Sequence, residues 1–236
     1  GTADNNAEKI AKELGWNFFP QNGYGIISKY PIVAHTPDSN GVKLKINDDQ
    51  FIWFFNTHLY YIPYQPYQLA QIKYGDYPFI STEAEAVFYA NGARQKQVQQ
   101  VVASIQSVMK ENVPIFLTGD FNEPSHLDWT KRAAKAGLCQ LKVEWPSTKS
   151  FTAMGLKDAY RTIYPNEVKN PGKTWTPVIS GEKEVHDRID FIFFKGSKVE
   201  LKNVEIIGED KQHANIVVSP YPSDHRAVVA TIMVKN

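Results

Sequence analysis

The sequence predicts an α+β domain, two packed β-sheets with helices outside them, an α/β/β/α sandwich. Three observations predict it. Strand-like segments outnumber helical ones. The long helical stretches interrupt the strands instead of alternating with each of them, which disfavours a regular parallel α/β wheel. No internal repeat, low-complexity tract or shift of composition divides residues 1–236, so one domain is expected. With 42% hydrophobic and 22% charged residues, the chain can bury one large core and is too ordinary for disorder.

The elements follow in order. Residues Asp4–Leu14 place Ala7, Ile10, Ala11 and Leu14 on one face and stop at Gly15, the pattern of an amphipathic helix. "YGIISKYPIV" reads as a strand broken by Pro31. "GVKLKI" turns at Asn47-Asp48-Asp49 into "FIWFFNTHL", a hairpin. The Tyr- and Pro-rich passage from Tyr60 to Phe79 is too apolar for a linker and too irregular for an element; long ordered loops of this kind are often functional. Ala84–Lys110 carries Val98, Val101, Val102, Ile105 and Val108 on one helical stripe. "VPIFLTGDFN" is a strand, and Ser125 to Asp128 has the form of a capping box opening a helix through about Ala136. "GLKDAYRTIYP" predicts a short helix or turn, and "RIDFIFFKG", "VELKNVEII" and "AVVATIMVKN" predict three strands.

Composition excludes several classes. A net charge of +1 announces no global field for a polyanion, although one local basic cleft stays compatible with it. Lys131, Arg132 and Lys135, with Arg161, Lys169 and Lys173, are scattered and offset by acids, so ordinary solvated charge is their simpler reading. The single cysteine, Cys139, permits no internal disulfide and leaves the redox compartment open. No apolar run approaches the roughly 18–20 residues that span a bilayer, so stable membrane insertion is not expected. The start, "GTADNNAEKIAKELGW", is polar and helical, unlike a leader. Location stays open, with secretion slightly favoured over the cytoplasm.

Four stretches share one grammar, a hydrophobic strand bounded by one or two polar, chemically capable residues. They are "FFNTHL" (Asn56, His58), "FLTGDFNEP" (Asp120, Asn122), "HDRIDFIFF" (Asp187, Arg188, Asp190) and "YPSDHRAVV" (Asp224, His225). Each has a bland reading alone: a hydrogen-bonded structural His, a turn, a surface pair, a strand-entry cap. Four such accidents together are improbable, and strand ends can converge on one rim of a sheet. Carboxylates with an Asn carbonyl are hard oxygen ligands suited to Mg²⁺. Two His residues can supply a base and a cationic donor to phosphate, and an Asp behind a His fixes its tautomer. Zinc-like Cys/His spacing, a GxSxG elbow and a P-loop are all missing from the sequence. The set fits metal-assisted attack of water on a phosphate ester.

The ordered series "NTHL", "GDFN", "RIDFIF" and "SDHRAV", with "GIISKYPI" ahead of it, resembles the endonuclease/exonuclease/phosphatase superfamily across essentially the whole chain. That fold is shared by pancreatic deoxyribonuclease, abasic-site endonucleases, neutral sphingomyelinases and inositol polyphosphate 5-phosphatases. The resemblance implies a four-layer α/β/β/α sandwich of two mixed sheets and a phosphoester hydrolase using Mg²⁺, with Mn²⁺ or Ca²⁺ as alternatives. It implies that His58 contacts the scissile phosphate, that Asp120 positions or deprotonates water, and that Asn122 holds phosphate or metal. It further implies that Asp190 orients His225, the base or phosphate donor, and that Asp224 assists the metal. Arg188 and Arg94 are candidate phosphate contacts, against equally simple readings as a structural ion pair and a solvated helix face. Tyr60 is a candidate substrate contact because "YYIPYQPYQL" follows His58 directly, although packing is the default for such rings. Trp175 is expected at the rim or in the core.

The chain departs from the family pattern at its start, where a strand carrying an Asn and a strand carrying the metal-binding Glu should precede "GIISKYPI". Glu8 and Glu13 sit in the predicted helix, so the principal Glu is expected upstream of Gly1, and this chain alone is expected to bind Mg²⁺ poorly. A missing amino-terminal segment is therefore one expected partner. The other is the substrate: a nucleic acid, a phospholipid headgroup or a sugar phosphate. The rival expectation is a non-catalytic binding module that keeps the fold without the Glu.

Overall fold

The computed structural model describes residues 6–178 and 183–235. Helix α1 (Asn6–Leu14) leads into a hairpin of β1 (Asn17–Gln21) and β2 (Tyr24–Ser28). The first residues of the predicted Asp4–Leu14 helix lie outside the described residues. Strand β1 was not expected, yet its signal is an Asn22-Gly23 pair between two apolar runs, with Gln21 facing Tyr24 across it. "YGIISKYPIV" is two strands in different sheets, because Pro31 cannot donate to a ladder: β2 and β3 (Ile32–His35).

The main sheet has six strands in the order β3-β4-β5-β6-β8-β7, adding β4 (Gly41–Lys45), β5 (Phe51–His58), β6 (Ile115–Asp120), β7 (Lys157–Asp158) and β8 (Asp190–Lys195). Strands β5 and β6 are parallel and the other neighbours antiparallel, so the sheet is mixed. Period-two alternation divides its side chains between two cores. Trp53, Phe55, Ile115, Leu117, Phe191 and Phe193 face helix α3 (Glu83–Val108) through Val98, Val101, Ile105 and Val108, and reach Phe151 of α5 (Pro146–Ala153). Ile52, Phe116 and Phe194 face the other way, toward Ile26 of β2 and toward Val204 and Ile206 of β9 (Val199–Gly208).

That second layer consists, among the described residues, of the β1-β2 pair and a three-stranded piece in the order β10-β9-β11, with β10 (Ile216–Val217) and β11 (Ala227–Val234). The architecture is thus α+β, with layered mixed sheets and helices, and among the described residues no sheet closes into a barrel. No helix of the described residues is long and apolar enough to cross a membrane.

Helix α3 starts where a capping box is made: Thr82 accepts from Glu85 N–H, and Glu85 reaches back to Thr82. The helix expected from Ser125 is shorter and later. Helix α4 (Lys131–Lys135) is capped by Thr130, whose side chain accepts from Ala133 N–H. Residues 125–129 instead form a turn, with Ser125 O accepting from Asp128 and Trp129, and Asp128 is committed to two arginines. The Tyr60–Phe79 passage holds a short helix, α2 (Gln65–Ala70), begun by Pro66 in its first turn. Asp158 caps α6 (Ala159–Ile163).

Candidate active site

The sheet register assembles the first half of the site. His58 ends β5, Asp120 ends β6 and Asp190 begins β8; the ladder pairs His58 with Asp120 and Asp120 with Asp190. Directly paired residues share a face of the sheet, so three chemically capable side chains stand in a row at one rim. Asp120 Oδ2 lies 3.5 Å from His58 Nε2.

His225 closes the constellation from two residues before β11. Its Nδ1 donates to Asp190 Oδ2 at 2.9 Å, and its Nε2 lies 3.8 Å from Asp120 Oδ2. An isolated bridge links Trp175 to His225 and another links Trp175 to Asp187, so the backbone of Trp175 joins the two chain segments. The Trp175 ring lies 4.8 Å, centroid to centroid, from the imidazole.

The "GDFN" turn is shaped by backbone need. Gly119 has φ +147, and a Cβ there would lie 1.9 Å from Thr57 O, so only glycine fits beside β5. Asn122 takes φ +46, a conformation that Asn tolerates better than most residues. Its N–H donates to Asp120 Oδ1 at 2.8 Å, and its side-chain amide donates to Leu59 O at 3.0 Å and Asp120 Oδ2 at 3.2 Å. Asn122 thus fixes the carboxylate of Asp120.

Electrostatics sharpen the pair behind it. Burial pushes the Asp190 carboxyl up, as does the charge of Asp120, while the His225 hydrogen bond pulls it down; the net direction is up. Burial alone would lower His225, but its bond to Asp190 and the charges of Asp190, Asp120 and Asp224 win and raise it.

Asp120, Asp190 and His225 each offer a ligand atom within 4.8 Å of the others. The two carboxylates are hard oxygen donors, and their mutual repulsion is what a cation would relieve, so the donor set fits a Mg²⁺-like ion. Asp224, expected at the metal, lines the same cavity but stands outside that group. The Glu expected upstream of Gly1 lies outside the described residues.

The cavity measures about 830 Å³ and is lined by His58, Asp120, Asn122, Asp190 and His225 together with Tyr24, Tyr61, Tyr67, Tyr74 and Trp175. Three candidates are placed elsewhere. Arg94 is fully buried; it pairs with Glu123 at 3.0 Å and also donates to Gln65 and to the carbonyls of Tyr60 and Pro63. It does not line the cavity because its guanidinium is used up inside, tying the aromatic loop to α3. Arg188 is buried too, held by Asp128 and Asp158, and those two acids hold its proton more tightly than usual. Tyr60 points to solvent at 48% exposed, and its neighbour Tyr61 lines the cavity instead. Sequence reasoning also passed over Tyr24, which lies edge-on to His58 at 6.3 Å; its signal was the hairpin turn just before it.

The comparisons with known proteins agree with this fold. A family model described as the Endonuclease/Exonuclease/phosphatase family matches residues 3–225. The uncharacterized protein F14F9.5 of Caenorhabditis elegans is 33% identical over 231 residues, covering 87% of this chain and 68% of that protein. Among solved structures, D. rerio TDP2 complexed with a single-stranded DNA product superposes with a TM-score of 0.56 at 16% identity, over 97% of this chain and 81% of that one. The 3′ phosphatase NExo from Neisseria, bound to a product DNA hairpin, gives 0.55 at 16% identity, over 94% and 81%. An AP endonuclease from Archaeoglobus fulgidus gives 0.54 at 15% identity, over 96% and 83%. With strand ends that converge on one rim and a family match across nearly its whole length, the chain belongs to the Endonuclease/Exonuclease/phosphatase family of phosphoester hydrolases, which generally use a divalent metal.

Proposed function

We propose that this chain is a divalent-metal-dependent phosphoester hydrolase in which water attacks a phosphodiester or phosphomonoester. One observation carries the reading: Asp120 Oδ2 stands between the Nε2 atoms of His58 and His225, 3.5 and 3.8 Å away, while Asp190 holds the far side of His225.

Each residue then has a task. Asp120, held by Asn122, orients the attacking water and takes its proton as the P–O bond to the alcohol breaks, and the departing alkoxide takes a proton from solvent water. His58 donates Nε2–H to the phosphate as its negative charge grows. His225, whose hold on a proton Asp190 strengthens, presents a second N–H to the same group. Asp120 and Asp190 would hold the cation, with Asp224 near enough to line its surroundings. When bound, Mg²⁺ neutralises phosphate charge and favours the in-line displacement.

The test is turnover, with Mg²⁺, by the purified protein carrying the amino-terminal segment expected to supply the Glu, on single-stranded DNA, bis-p-nitrophenyl phosphate, inositol phosphates and sphingomyelin. DNA heads the panel because two of the structural relatives are described with DNA bound. Activity should vanish in EDTA, return with Mg²⁺, and be lost in both Asp120→Asn and His225→Ala. A wild-type rate in either variant sinks the mechanism. Ligand binding without turnover under every metal would favour a binding module instead.

A further inference from the structure

An aromatic strip runs from the catalytic imidazole to the mouth of the cavity. It begins at Trp175, 4.8 Å from His225, which packs with Tyr64 and Tyr67 in one cluster. Tyr67 then meets Tyr74 at 5.3 Å, and Tyr74 meets Tyr61 at 6.4 Å. The inner rings are anchored: Tyr64 donates to Asp187 and Tyr67 to Glu184. The outer two, Tyr61 and Tyr74, line the cavity yet stay 49% and 40% exposed. Exposed aromatic rings cost apolar surface unless a ligand covers them.

The neighbours of the strip narrow the ligand. Lys73 lines the cavity beside Tyr74, as does Lys183, while Glu184 of the same lining accepts from the Tyr67 hydroxyl and from Val185 N–H. A cation there suits a further negative charge and opposes a quaternary ammonium headgroup. Ile72 and Ile189 are the only branched aliphatic side chains of the lining among the described residues, and the rest of its apolar surface is aromatic ring. Flat rings with a flanking cation fit a planar group followed by another phosphate.

We propose that Tyr61 and Tyr74, whose rings meet at 61°, form an aromatic corner for an unpaired nucleobase adjacent to the scissile phosphate. The base stacks on one ring and meets the other at its edge, and Lys73 takes the next phosphate along. The inference rests on the phosphoester reading for the position of the scissile phosphate. It goes beyond that reading by naming the ligand as a nucleotide unit with its base out of a duplex. A base still in its pair cannot lay its face on rings that form the wall of a recess.

The deciding measurement is binding in EDTA, where no turnover occurs. A fluorescent single-stranded oligonucleotide is compared with a strand of the same length and phosphate number carrying abasic tetrahydrofuran units. Stacking should make the base-bearing strand bind about 5- to 150-fold more tightly. The ratio should fall to near unity in Tyr61→Leu/Tyr74→Leu and persist in Tyr61→Phe/Tyr74→Phe. Lys73→Ala should lower the slope of log Kd against log salt by about one. Competition by a nucleoside monophosphate as effective as the strand assigns a free nucleotide; competition by the strand alone assigns a nucleic-acid end. Equal affinity for the two strands, or tighter binding to phosphatidylcholine vesicles than to either, overturns the proposal. If the base preference holds while no phosphoester is cleaved under any metal, the hydrolase reading falls and the aromatic corner stands.

Discussion

Asp190 Oδ2 accepts the Nδ1–H of His225 at 2.9 Å, joining the first residue of β8 to the residue two before β11. The bond spans two layers, because β8 belongs to the main sheet and β11 to the smaller one. It turns Nε2 of the imidazole toward Asp120 and the cavity. Substituting Asp190→Asn should leave the ring in place but remove the charge that supports its proton. It also weakens one of the two carboxylates that would hold the cation, so turnover is read at saturating Mg²⁺. Turnover should fall about 10- to 100-fold with little change in KM, against about 10²–10⁴-fold for His225→Ala. Steady-state kinetics on one diester reads both.

Arg94 and Glu123 form an ion pair with no solvent exposure, satisfied further by Gln65, two carbonyls and the N–H of Ser147. Truncating one partner leaves the other charged and buried. Arg94→Met should therefore cost about 3–5 kcal/mol, and Arg94→Met/Glu123→Leu should recover part of it. Urea denaturation of the three proteins measures the difference. Because Glu123 follows Asn122 directly, kcat should fall in the single variant even where it remains folded.

Gly119→Ala should be among the most damaging small substitutions in the chain. The added Cβ meets the backbone oxygen of Thr57 at 1.9 Å, which forces β5 and β6 apart at the row of His58 and Asp120. Gly15→Ala is the control: its φ is +67 but nothing lies within 4 Å, so it should cost only about 1–2 kcal/mol of conformational strain. Thermal melts of the two variants should separate clearly, and a soluble Gly119→Ala with wild-type stability would contradict the register.

Asp187 gives a pH signature independent of catalysis. Burial pushes its carboxyl up to about 6, against hydrogen bonds from Trp129 and Tyr64 that pull it down. The folded protein then holds this proton more tightly than the unfolded chain. The stabilisation it brings is complete below about pH 3.8 and is lost as pH rises through about 6, up to about 3 kcal/mol in all. Asp187→Asn cannot titrate and keeps a carbonyl for the Trp129 indole. The stability of wild type relative to Asp187→Asn should decline between pH 4 and 7. A difference that stays constant across that range removes Asp187 as its cause.

Much of this was legible in local sequence. The alternation of "FIWFFNTH" and "IFLTGD" dictates strands with one residue in two on each face, and the Val98–Val108 stripe dictates the helix that covers one of those faces. The polar strand ends His58, Asp120, Asp190 and His225 could be singled out because each breaks an apolar run with groups that bind protons, phosphate or metal. Short helices such as α2 and α5 were not legible, since each is begun by a proline and held by tertiary packing more than by its own periodicity.

Arginine roles were illegible for a different reason. Arg94 and Arg188 have the charge that a phosphate contact requires, but charge alone does not say which way a side chain points. Helix and strand patterns repeat over a few residues, so the sequence by itself determined the longer elements, the two-faced main sheet and the set of residues able to do chemistry. Register, burial and the approach of distant segments decide the rest. Only the tertiary structure set Asp120 between two imidazoles, committed both arginines to interior carboxylates, and lined the route to His225 with tyrosines, because those relations depend on residues far apart in the chain meeting in space.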